Sequence, residues 1–309
     1  MMNWLHETLG LALREAWAFE QIFKVLGQVG KRGLAATLAI ITELFGFLTA
    51  GTPITPYGEE LDLTGYSIVF EDEFDGDDVD WNTWVPRGVG KQKYYNVSPD
   101  QLSVKDGNLY VTAEYRDGEY GEGWYTGAAR LKDQYKYGYF EVRAICNADA
   151  AFNSAFWLRT EHCYDAEYSL GGPGGAEIDI LENLYYRFGY SASKNTIHVA
   201  GIDGPEDKGI DSFHMPAFYT HNDMYSEYNT YGMMWTEDEY IFYVNGVETM
   251  RTSYGNGVCE VPADVIISFG GPGHDNSGQL PYFKDLSTDY KSVFTIDYVK
   301  IYQLTPTAE

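Results

Sequence analysis

The sequence predicts an all-β fold, an antiparallel sandwich or barrel, over the part of the chain that begins at Tyr66. From there onward, short alternating or β-branched runs are separated by Gly, Asp and Asn, as in QLSVKDGNLYVTAEY at residues 101–115. The triplets Asp106-Gly107-Asn108 and Val244-Asn245-Gly246 are typical of tight hairpin turns. No helical periodicity lies between these runs, which argues against βαβ units and favours antiparallel pairing.

The N-terminal residues have a different character. Residues 4–30 carry apolar side chains at helical spacing, and residues 33–51 form an almost uncharged run behind a Lys-Arg pair. This pattern leaves three interpretations open: an export signal whose start lies downstream of Met1, a signal anchor that stays in the membrane, or an amphipathic helical hairpin. The first two place the rest of the chain outside the cytoplasm, so we expect a protein that is extracellular or attached to the cell envelope.

These changes in composition divide the chain into three parts. We expect residues 1–51 to be the N-terminal signal, anchor or helical segment, residues 52–65 to be a linker rich in Pro and Thr, and residues 66–304 to form the β domain. A sandwich or barrel of this length commonly folds as one unit. We expect a monomer that contacts a membrane only through the N-terminal segment, if that segment is retained.

The charge of the chain limits its partners. The sequence has 21 Lys and Arg against 46 Asp and Glu, a net charge of −25. Such a field repels phosphate backbones and anionic membrane surfaces, so we expect no nucleic-acid partner. It also favours a neutral polymer over a sulfated or carboxylated one, unless a cleft differs locally from the average. The 27 Tyr, 16 Phe and 7 Trp suffice for a β core and for platforms on which sugars stack.

The cysteines and histidines do not form a metal-binding pattern. Cys146, Cys163 and Cys259 lack C-x-x-C spacing and allow at most one disulfide within the chain. The pair His6-Glu7 is not followed by the second His that a metalloprotease helix requires. We therefore expect no cofactor that takes part in catalysis.

Three acidic residues lie in six positions of an apolar strand, within AEIDILENLYY at residues 176–186. Side chains alternate between the faces of a strand, so Glu177 and Asp179 share one face, and Glu182 joins them only if a β-bulge adds one residue near Ile180-Leu181. The two Glu carboxyls could then approach to about 5–5.5 Å, the separation that a retaining glycosidase needs.

Unpaired charge is costly to bury, so these acids need either a chemical or a structural reason. In the chemical interpretation, one Glu attacks the sugar, the other donates a proton to the leaving oxygen, and Asp179 lies between them. In the structural interpretation, the acids pair with Arg130, Arg143 or Arg159, or Glu182 faces solvent at the end of the strand.

The segment E-I-D-I-L-E resembles the catalytic motif of glycoside hydrolase family 16 in its longer, bulged form Glu-x-Asp-x-x-Glu. Over about residues 66–303 the neighbouring segments also follow in the order of that family: FEDEFDG, DGNLYVTAEY, GAARLKDQYKYGYFEVRA, SAFWLRT, NTIHVAG, YGMMWTEDEYIFYVNG and FTIDYVKIYQ. The resemblance implies a β-jelly-roll sandwich of two curved antiparallel sheets, with a cleft on the concave face. It also implies internal cleavage of a polysaccharide with retention of configuration.

The resemblance assigns roles to individual residues. Glu177 would be the nucleophile, Asp179 its assistant and Glu182 the general acid/base. Substrate contacts would come from Asn96, Arg130, Trp157 and His198. Trp124, in the Gly-rich segment GEGWYTG, is either a platform for a sugar or an anchor of its loop. The resemblance also implies a structural calcium ion on the convex face, held by a backbone oxygen near Glu73, the carbonyl of Gly107 and the carboxylate of Asp297.

We therefore expect a retaining endo-β-glycanase that acts on a neutral polysaccharide, foremost β-1,3-glucan or mixed-linkage β-1,3-1,4-glucan. A β-galactan such as agarose is the alternative substrate, and a non-catalytic glucan-binding protein is the alternative function. Transglycosylation uses the same intermediate as hydrolysis, so sequence does not separate the two. The segments EHCYDAEYSLGGPGG and SFGGPGHDNSG depart from the pattern of the family and are expected to border the cleft.

Overall fold

A computed structural model describes residues 53–149, 151–183, 190–270 and 286–305. The predicted signal, anchor or helical segment at residues 1–51 lies outside these residues, as does most of the late loop that follows Gly270. Within the described ranges, no helix is long and apolar enough to cross a membrane.

The described residues form nineteen strands, one short α-helix and one 3₁₀ turn. In chain order the strands are β1 (Tyr66–Asp72), β2 (Trp84–Pro86), β3 (Gly90–Lys91), β4 (Asn96–Val97), β5 (Leu102–Lys105), β6 (Asn108–Arg116), β7 (Gly123–Thr126), β8 (Ala128–Leu131), β9 (Gly138–Ile145), β10 (Asn153–Arg159), β11 (Glu177–Glu182), β12 (Ala192–Ala200), β13 (Ile210–His214), β14 (Phe218–Tyr219), β15 (Asn229–Trp235), β16 (Tyr240–Val244), β17 (Val247–Thr252), β18 (Asp264–Gly270) and β19 (Lys291–Leu304). The 3₁₀ turn is Pro99–Gln101, and the helix, α1, is Ala166–Ser169.

The strands form two sheets. The larger, which we call the structural sheet, has the order β17-β16-β15-β9-β19-β6-β7-β4-β3, with β1 beside β19 and β5 beside β6. The smaller, which we call the site sheet, has the order β13-β12-β11-β10-β18-β8-β2, with β14 beside β12. Apart from the short parallel pair β4 and β7, the pairings are antiparallel. The all-β fold and the jelly-roll sandwich that the sequence predicted are therefore confirmed.

A single large core lies between the sheets and explains why the strands alternate. Phe140 and Trp235 come from the structural sheet, Phe156 and Ile178 from the site sheet, and all are buried in the same apolar cluster. Each buried side chain of this size stabilises the fold by about 1.5–3 kcal/mol relative to exposure. On the site sheet, the face turned away from this core carries the carboxylates.

The two predicted hairpins are confirmed, and their turns require a left-handed backbone. Asp106 and Gly107 have φ of 51° and 72°, and Asn245 and Gly246 have φ of 50° and 75°. Two consecutive positive φ values are typical of the type I′ turn, whose twist matches that of the flanking strands. These turns connect β5 to β6 and β16 to β17.

Within the predicted linker, residues 53–65 are extended but lie against the domain. The backbone N–H of Ile54 donates to Ala217 O at 2.8 Å, and that of Gly58 donates to Glu248 O at 3.0 Å. Leu61 and Leu63 pack on a small apolar cluster of the structural sheet. Prolines favour the extended conformation, and these contacts then fix its course over the surface.

Candidate active site

A bulge interrupts the pairing of β11 with both of its neighbours. Asp179 lies opposite Trp157 of β10, whereas Leu181, two residues further on, lies opposite the adjacent residue Phe156. The pairing with β12 shows the same shift between Asp179 and Glu182. Ile180 is therefore the extra residue, and the bulge predicted near this position is confirmed.

The bulge places all three acidic side chains on one face of the site sheet. Ile178, Ile180 and Leu181 are buried in the core, whereas Glu177 and Glu182 are only partly buried. Without the extra residue, Glu182 would point into the core with the isoleucines. Local backbone geometry thus brings the carboxylates together.

Glu177 has a hydrogen-bond donor at one carboxylate oxygen and a cation near the other. The hydroxyl of Tyr164 donates to Oε1, and the Arg159 Nε atom lies 3.6 Å from Oε2. Of the three arginines considered as structural partners of these acids, Arg159 alone pairs with one of them in the described residues: Arg130 pairs with Asp264 and Arg143 with Asp297. A hydroxyl and a guanidinium both favour the anionic carboxylate that a nucleophile requires.

Asp179 is the most deeply buried of the three acids, with 5% of its surface exposed. Its Oδ2 atom lies 3.2 Å from His198 Nε2, and the other ring nitrogen of His198 is 2.6 Å from Ser212 Oγ. Burial, and secondly the charge of Glu177, raises the pKa of Asp179 well above its usual range. Polar atoms of Glu177, Asp179 and His198 all lie within 4.8 Å of one another, a spacing at which charges on these groups interact directly.

Glu182 is held in its protonated form at neutral pH. Burial first, and the neighbouring Asp179 second, raises its pKa from 4.5 to about 8. Asn153 Nδ2 donates to Glu182 Oε1 at 3.2 Å and opposes this shift without cancelling it. A carboxyl that keeps its proton at pH 7 beside one that is anionic is the arrangement that acid-assisted glycosidic cleavage needs.

Trp157, His198 and Arg130 lie on the same sheet as the carboxylates, as predicted. Trp157 is the cross-strand partner of Asp179, and His198 is the partner of Glu177. The indole N–H of Trp157 donates to Ser268 Oγ at 3.0 Å, which fixes the plane of its ring. Arg130 on β8 lies 3.5 Å from Asp264 and is separated from Trp157 by the single strand β18.

A cavity of about 580 Å³ adjoins these residues and is lined by charged side chains of both signs. Four cations, Arg87, Arg130, Lys132 and Arg159, line it beside three acids, Asp133, Glu161 and Asp264, so the lining is slightly positive in a chain whose net charge is −25. The Arg87 guanidinium lies 4.5 Å from the centroid of the Trp157 ring and forms no ion pair with any described residue. Burial, and then the nearby Arg159, lowers the pKa of Arg87, as expected for clustered cations.

Two predicted substrate contacts are buried. Trp124 is 7% exposed, and the edges and faces of its ring meet Tyr115 and Phe152 at centroid distances of 5.7 and 5.3 Å. It therefore offers no free face to a sugar and corresponds to the anchor rather than the platform. Asn96 is also buried and lies on the structural sheet, beside Tyr125.

Two side chains at the predicted calcium site already have cationic partners. The carboxylate of Asp297 accepts a hydrogen bond from Arg143, whose guanidinium lies 4.3 Å from the centroid of the Tyr228 ring. The side chain of Glu73 pairs with Lys300. Since Arg143 already supplies the positive charge at Asp297, we derive no role for calcium, and the ion at Glu73, Gly107 and Asp297 stays a prediction.

Sequence reasoning missed three residues that contact the predicted machinery: Tyr164, Asn153 and Arg87. Tyr164 lies in the segment that departs from the family pattern, and Arg87 lies between β2 and β3. Only long-range pairing brings these loops to the carboxylates, so the sequence contained no local signal for them. Asn153, at the start of the strand that contains Trp157, could have been found by counting two residues per step along that face.

Comparisons with known proteins agree with this geometry. A family model described as "Beta-porphyranase A-D, GH16 domain" matches residues 68–304. Among curated proteins, glucan endo-1,3-beta-glucosidase A1 of Niallia circulans is 24% identical over 83% of this chain and 40% of its own length. Keratan-sulfate endo-1,4-beta-galactosidase of Sphingobacterium multivorum is 25% identical over 78% of this chain and 56% of its own. The chain thus spans about half the length of these relatives.

Solved structures share the fold. A kappa-carrageenase from Zobellia galactanivorans superposes with a TM-score of 0.63 at 19% identity, covering 82% of this chain and all of that one (100%).

Proposed function

The chain belongs to glycoside hydrolase family 16, and we propose that it hydrolyses internal bonds of a β-linked polysaccharide with retention of configuration. The observation that carries this proposal is the bulged strand β11. It places the hydrogen-bonded carboxylate Glu177 and the protonated carboxyl Glu182 on one face, with Asp179 between them in the chain. Two carboxyl groups in these two protonation states are the machinery of a double displacement.

The reaction follows from these states. The Glu177 carboxylate attacks the anomeric carbon and forms a glycosyl ester, while Glu182 gives its proton to the departing glycosidic oxygen. Glu182, now anionic, takes a proton from the water that attacks the same carbon. The bond to Glu177 breaks, its carboxylate is released, and Glu182 is again protonated.

Asp179 and His198 support this exchange. The proximity of Asp179 raises the pKa of Glu182 and helps to keep Glu182 protonated at neutral pH. His198 lies 3.2 Å from Asp179 and holds it from the side opposite β10, since His198 comes from β12. The pair would thereby orient Asp179 toward the two glutamates rather than touch the sugar bond itself.

For the substrate, the local charge of the cleft points away from the neutral glucan that the overall charge suggests. Arg87, Arg130 and Arg159 line one cavity, and Arg87 lies on the ring of Trp157 without a carboxylate partner among the described residues. A guanidinium in this position is suited to bind a sulfate ester, which accepts parallel hydrogen bonds as phosphate does. We therefore place a sulfated β-galactan first, in line with the name of the matching family model and with the keratan sulfate named for one relative.

A β-1,3-glucan is the second candidate, because another relative of similar identity is named as a glucan endo-1,3-beta-glucosidase. For either substrate we propose that the chain acts as a monomer outside the cytoplasm, where such polymers occur.

The test is product release from porphyran, keratan sulfate, κ-carrageenan, agarose, laminarin and barley β-glucan. Wild type is compared with Glu182→Ala in the presence of azide. We expect cleavage of a sulfated galactan by wild type. Glu182→Ala cannot protonate a departing sugar, so we expect its glycosyl azide product from a substrate with an aryl leaving group, which departs without a proton, since azide needs no base to attack. Desulfated porphyran is the matched control for charge, and preferential cleavage of laminarin would assign the glucan instead.

Two results would refute the enzymatic proposal. One is reducing-sugar release that is undiminished in Glu177→Gln. The other is tight binding of a polymer without turnover at any pH between about 4 and 9. That result would identify a carbohydrate-binding protein.

A further inference from the structure

The segment between β10 and β11, at residues 160–176, delivers a side chain to the nucleophile that the mechanism above does not use. The hydroxyl of Tyr164 donates a hydrogen bond to Glu177 Oε1. The side chain is 39% exposed, so it lies at the surface of the cleft rather than in the core. Burial of its hydroxyl, and secondly the charge of Glu177, raises the pKa of Tyr164 far above the usual range, so the group is a donor at any working pH.

The fold fixes Tyr164 on both sides. The preceding residue, Cys163, is fully buried, and the following residue, Asp165, caps helix α1 by accepting from the N–H of Glu167 at 3.1 Å. The helix ends at Ser169, and its C-cap residue, Leu170, has a left-handed φ of 54°. These anchors leave the Tyr164 backbone little freedom to withdraw its ring from Glu177.

The remainder of the segment is held equally closely. Ser169 Oγ donates to Gly175 O at 2.7 Å, and the N–H of Gly171 donates to Ala200 O at 2.8 Å. A Cβ added at Gly174 would lie 1.8 Å from the carbonyl oxygen of Tyr168, so only glycine fits at this position. The packing of the whole segment therefore holds Tyr164 in contact with Glu177.

Arg159 completes the arrangement. Its Nε atom lies 3.6 Å from Glu177 Oε2 and 3.3 Å from Cys163 Sγ, and its guanidinium lies 4.8 Å from the centroid of the Tyr164 ring. Glu177 is thus held at one oxygen by a neutral hydroxyl and at the other by a cation. Each carboxylate oxygen can accept two hydrogen bonds, so one lone pair remains for attack on the sugar.

We propose that Tyr164 is a positioning residue that stabilises Glu177 as the departing carboxylate in the second half of the reaction. This inference rests on the double displacement proposed above. A hydrogen bond to an anionic carboxylate is about twice as strong as one to a neutral acceptor such as a glycosyl ester. When the ester forms, the hydrogen bond from Tyr164 weakens, and when water breaks the ester, the bond regains its strength. Tyr164 therefore lowers the barrier to release of the sugar from Glu177.

The variant Tyr164→Phe tests this role without changing the size of the ring. We expect kcat to fall about tenfold, the effect of losing one hydrogen bond to a charged group. We expect KM to fall with it, because the glycosyl-enzyme then accumulates, and kcat/KM to change much less. Intact mass spectrometry of enzyme quenched at steady state should show the added sugar units on the variant and little on wild type.

Tyr168→Phe is the matched control. Tyr168 lies on the same segment, is exposed, and stacks on His162 rather than on the carboxylates. We expect wild-type kcat and KM from it. Tyr164→Phe with unchanged kcat and KM, or with a rise in KM and no trapped intermediate, would overturn the proposal.

A substrate-free measurement separates this inference from the proposed function. In protein labelled with ¹³Cζ-tyrosine, the Tyr164 resonance is identified by its absence in Tyr164→Phe. We expect it to move in Glu177→Gln, because an amide oxygen accepts less strongly than a carboxylate. If wild type cleaves no polymer but this resonance moves, the function fails and the contact stands. If wild type is active and the resonance does not move, Tyr164 has no role at the nucleophile.

Discussion

Glu141 on the structural sheet and Glu182 on the site sheet are both acidic residues partly or wholly removed from water, but they have opposite surroundings. Glu141 is 9% exposed, and each of its oxygens accepts from a tyrosine hydroxyl, Tyr139 at 2.7 Å and Tyr298 at 2.8 Å. Glu182 has one amide donor at 3.2 Å, and the charge that affects its pKa most is that of another acid, Asp179.

The difference shows two ways in which a sheet accommodates an acidic side chain. On the structural sheet, two tyrosine hydroxyls replace the water that the Glu141 carboxylate loses on burial. On the site sheet, the loss of water is left uncompensated and the pKa of Glu182 rises to about 8 instead. Glu182 thus keeps a proton that it can donate at neutral pH, because few hydrogen-bond donors compensate its burial.

The largest effect that tests this comparison is the loss of activity in Glu177→Gln. We expect kcat to fall by at least about 10⁴-fold, because the amide cannot form the glycosyl ester. Glu141→Gln is the control from the other sheet. It should keep wild-type kcat and lose about 1–3 kcal/mol of unfolding free energy, as two hydrogen bonds to a charged group weaken. Equal activity of the two variants would remove the distinction between the sheets.

The next effect is the dependence of activity on pH. Because Glu182 must be protonated to act as the acid, we expect kcat/KM to decline above pH of about 8, the pKa to which burial and Asp179 raise this group. The decline should approach tenfold per pH unit. A profile that stays flat to pH 10, on the order of two units beyond that pKa, would show that Glu182 is not the acid.

Stability measured in the same range identifies the titrating group. The pKa of Glu182 is higher in the folded chain than its ordinary value of 4.5, so the unfolded chain loses this proton first as pH rises. Wild type therefore loses stability between pH 4.5 and about 8 through this group, whereas Glu182→Gln does not. The difference in unfolding free energy should move in favour of the variant across that window and stay constant below it.

The charge of the cleft is tested by Arg87→Gln, with a smaller effect. We expect kcat/KM for a sulfated galactan to fall about 10- to 100-fold, because one charge-assisted contact is lost, and that for the desulfated polymer to change little. Arg116→Gln is the control, since its guanidinium also lies on an aromatic ring, Tyr125, but on the structural sheet. Equal losses on both polymers would assign Arg87 to the packing of Trp157 alone.

The features that sequence predicted correctly are those set by neighbours along the chain. Alternation defined the strands, Asn245-Gly246 defined a hairpin, and the parity of Glu182 relative to Asp179 required the bulge at Ile180. Each depends on a few consecutive residues and on the geometry of a strand. They were enough to bring the three carboxylates to one face.

The features that sequence missed depend on which strands become neighbours. Trp124 lies among glycines, and a local pattern does not reveal that Phe152, 28 positions later in the numbering, covers its ring. Arg87 and Tyr164 reach Trp157 and Glu177 from loops whose course is fixed by long-range pairing. The preference for a neutral substrate rests on the total charge, which does not describe the distribution of charge within one cleft, and it stays a prediction.

The smallest expected effect concerns the cation at Asp297 on the structural sheet. The Arg143 and Asp297 side chains are 38% and 28% exposed, so losing their ion pair in Arg143→Ala should cost only about 1 kcal/mol of unfolding free energy. If the guanidinium occupies the position that a calcium ion would need, calcium and EDTA should leave the melting temperature of wild type unchanged. In Arg143→Ala the freed Asp297 carboxylate and the nearby Gly107 carbonyl are oxygen ligands of the kind calcium prefers, so added calcium should restore the lost stability.

Arg251→Ala is the matched control for that variant. Arg251 pairs with Glu239 and Glu248 on the same sheet, remote in sequence from Gly107 and Asp297. Its loss should destabilise the fold to a similar degree without any response to calcium, because it frees neither Asp297 nor the Gly107 carbonyl. A rise in the melting temperature of wild type on adding calcium would instead mean that the ion binds beside the arginine. In that case the structural sheet, like the site sheet, would contain an acid whose compensation by protein groups is incomplete.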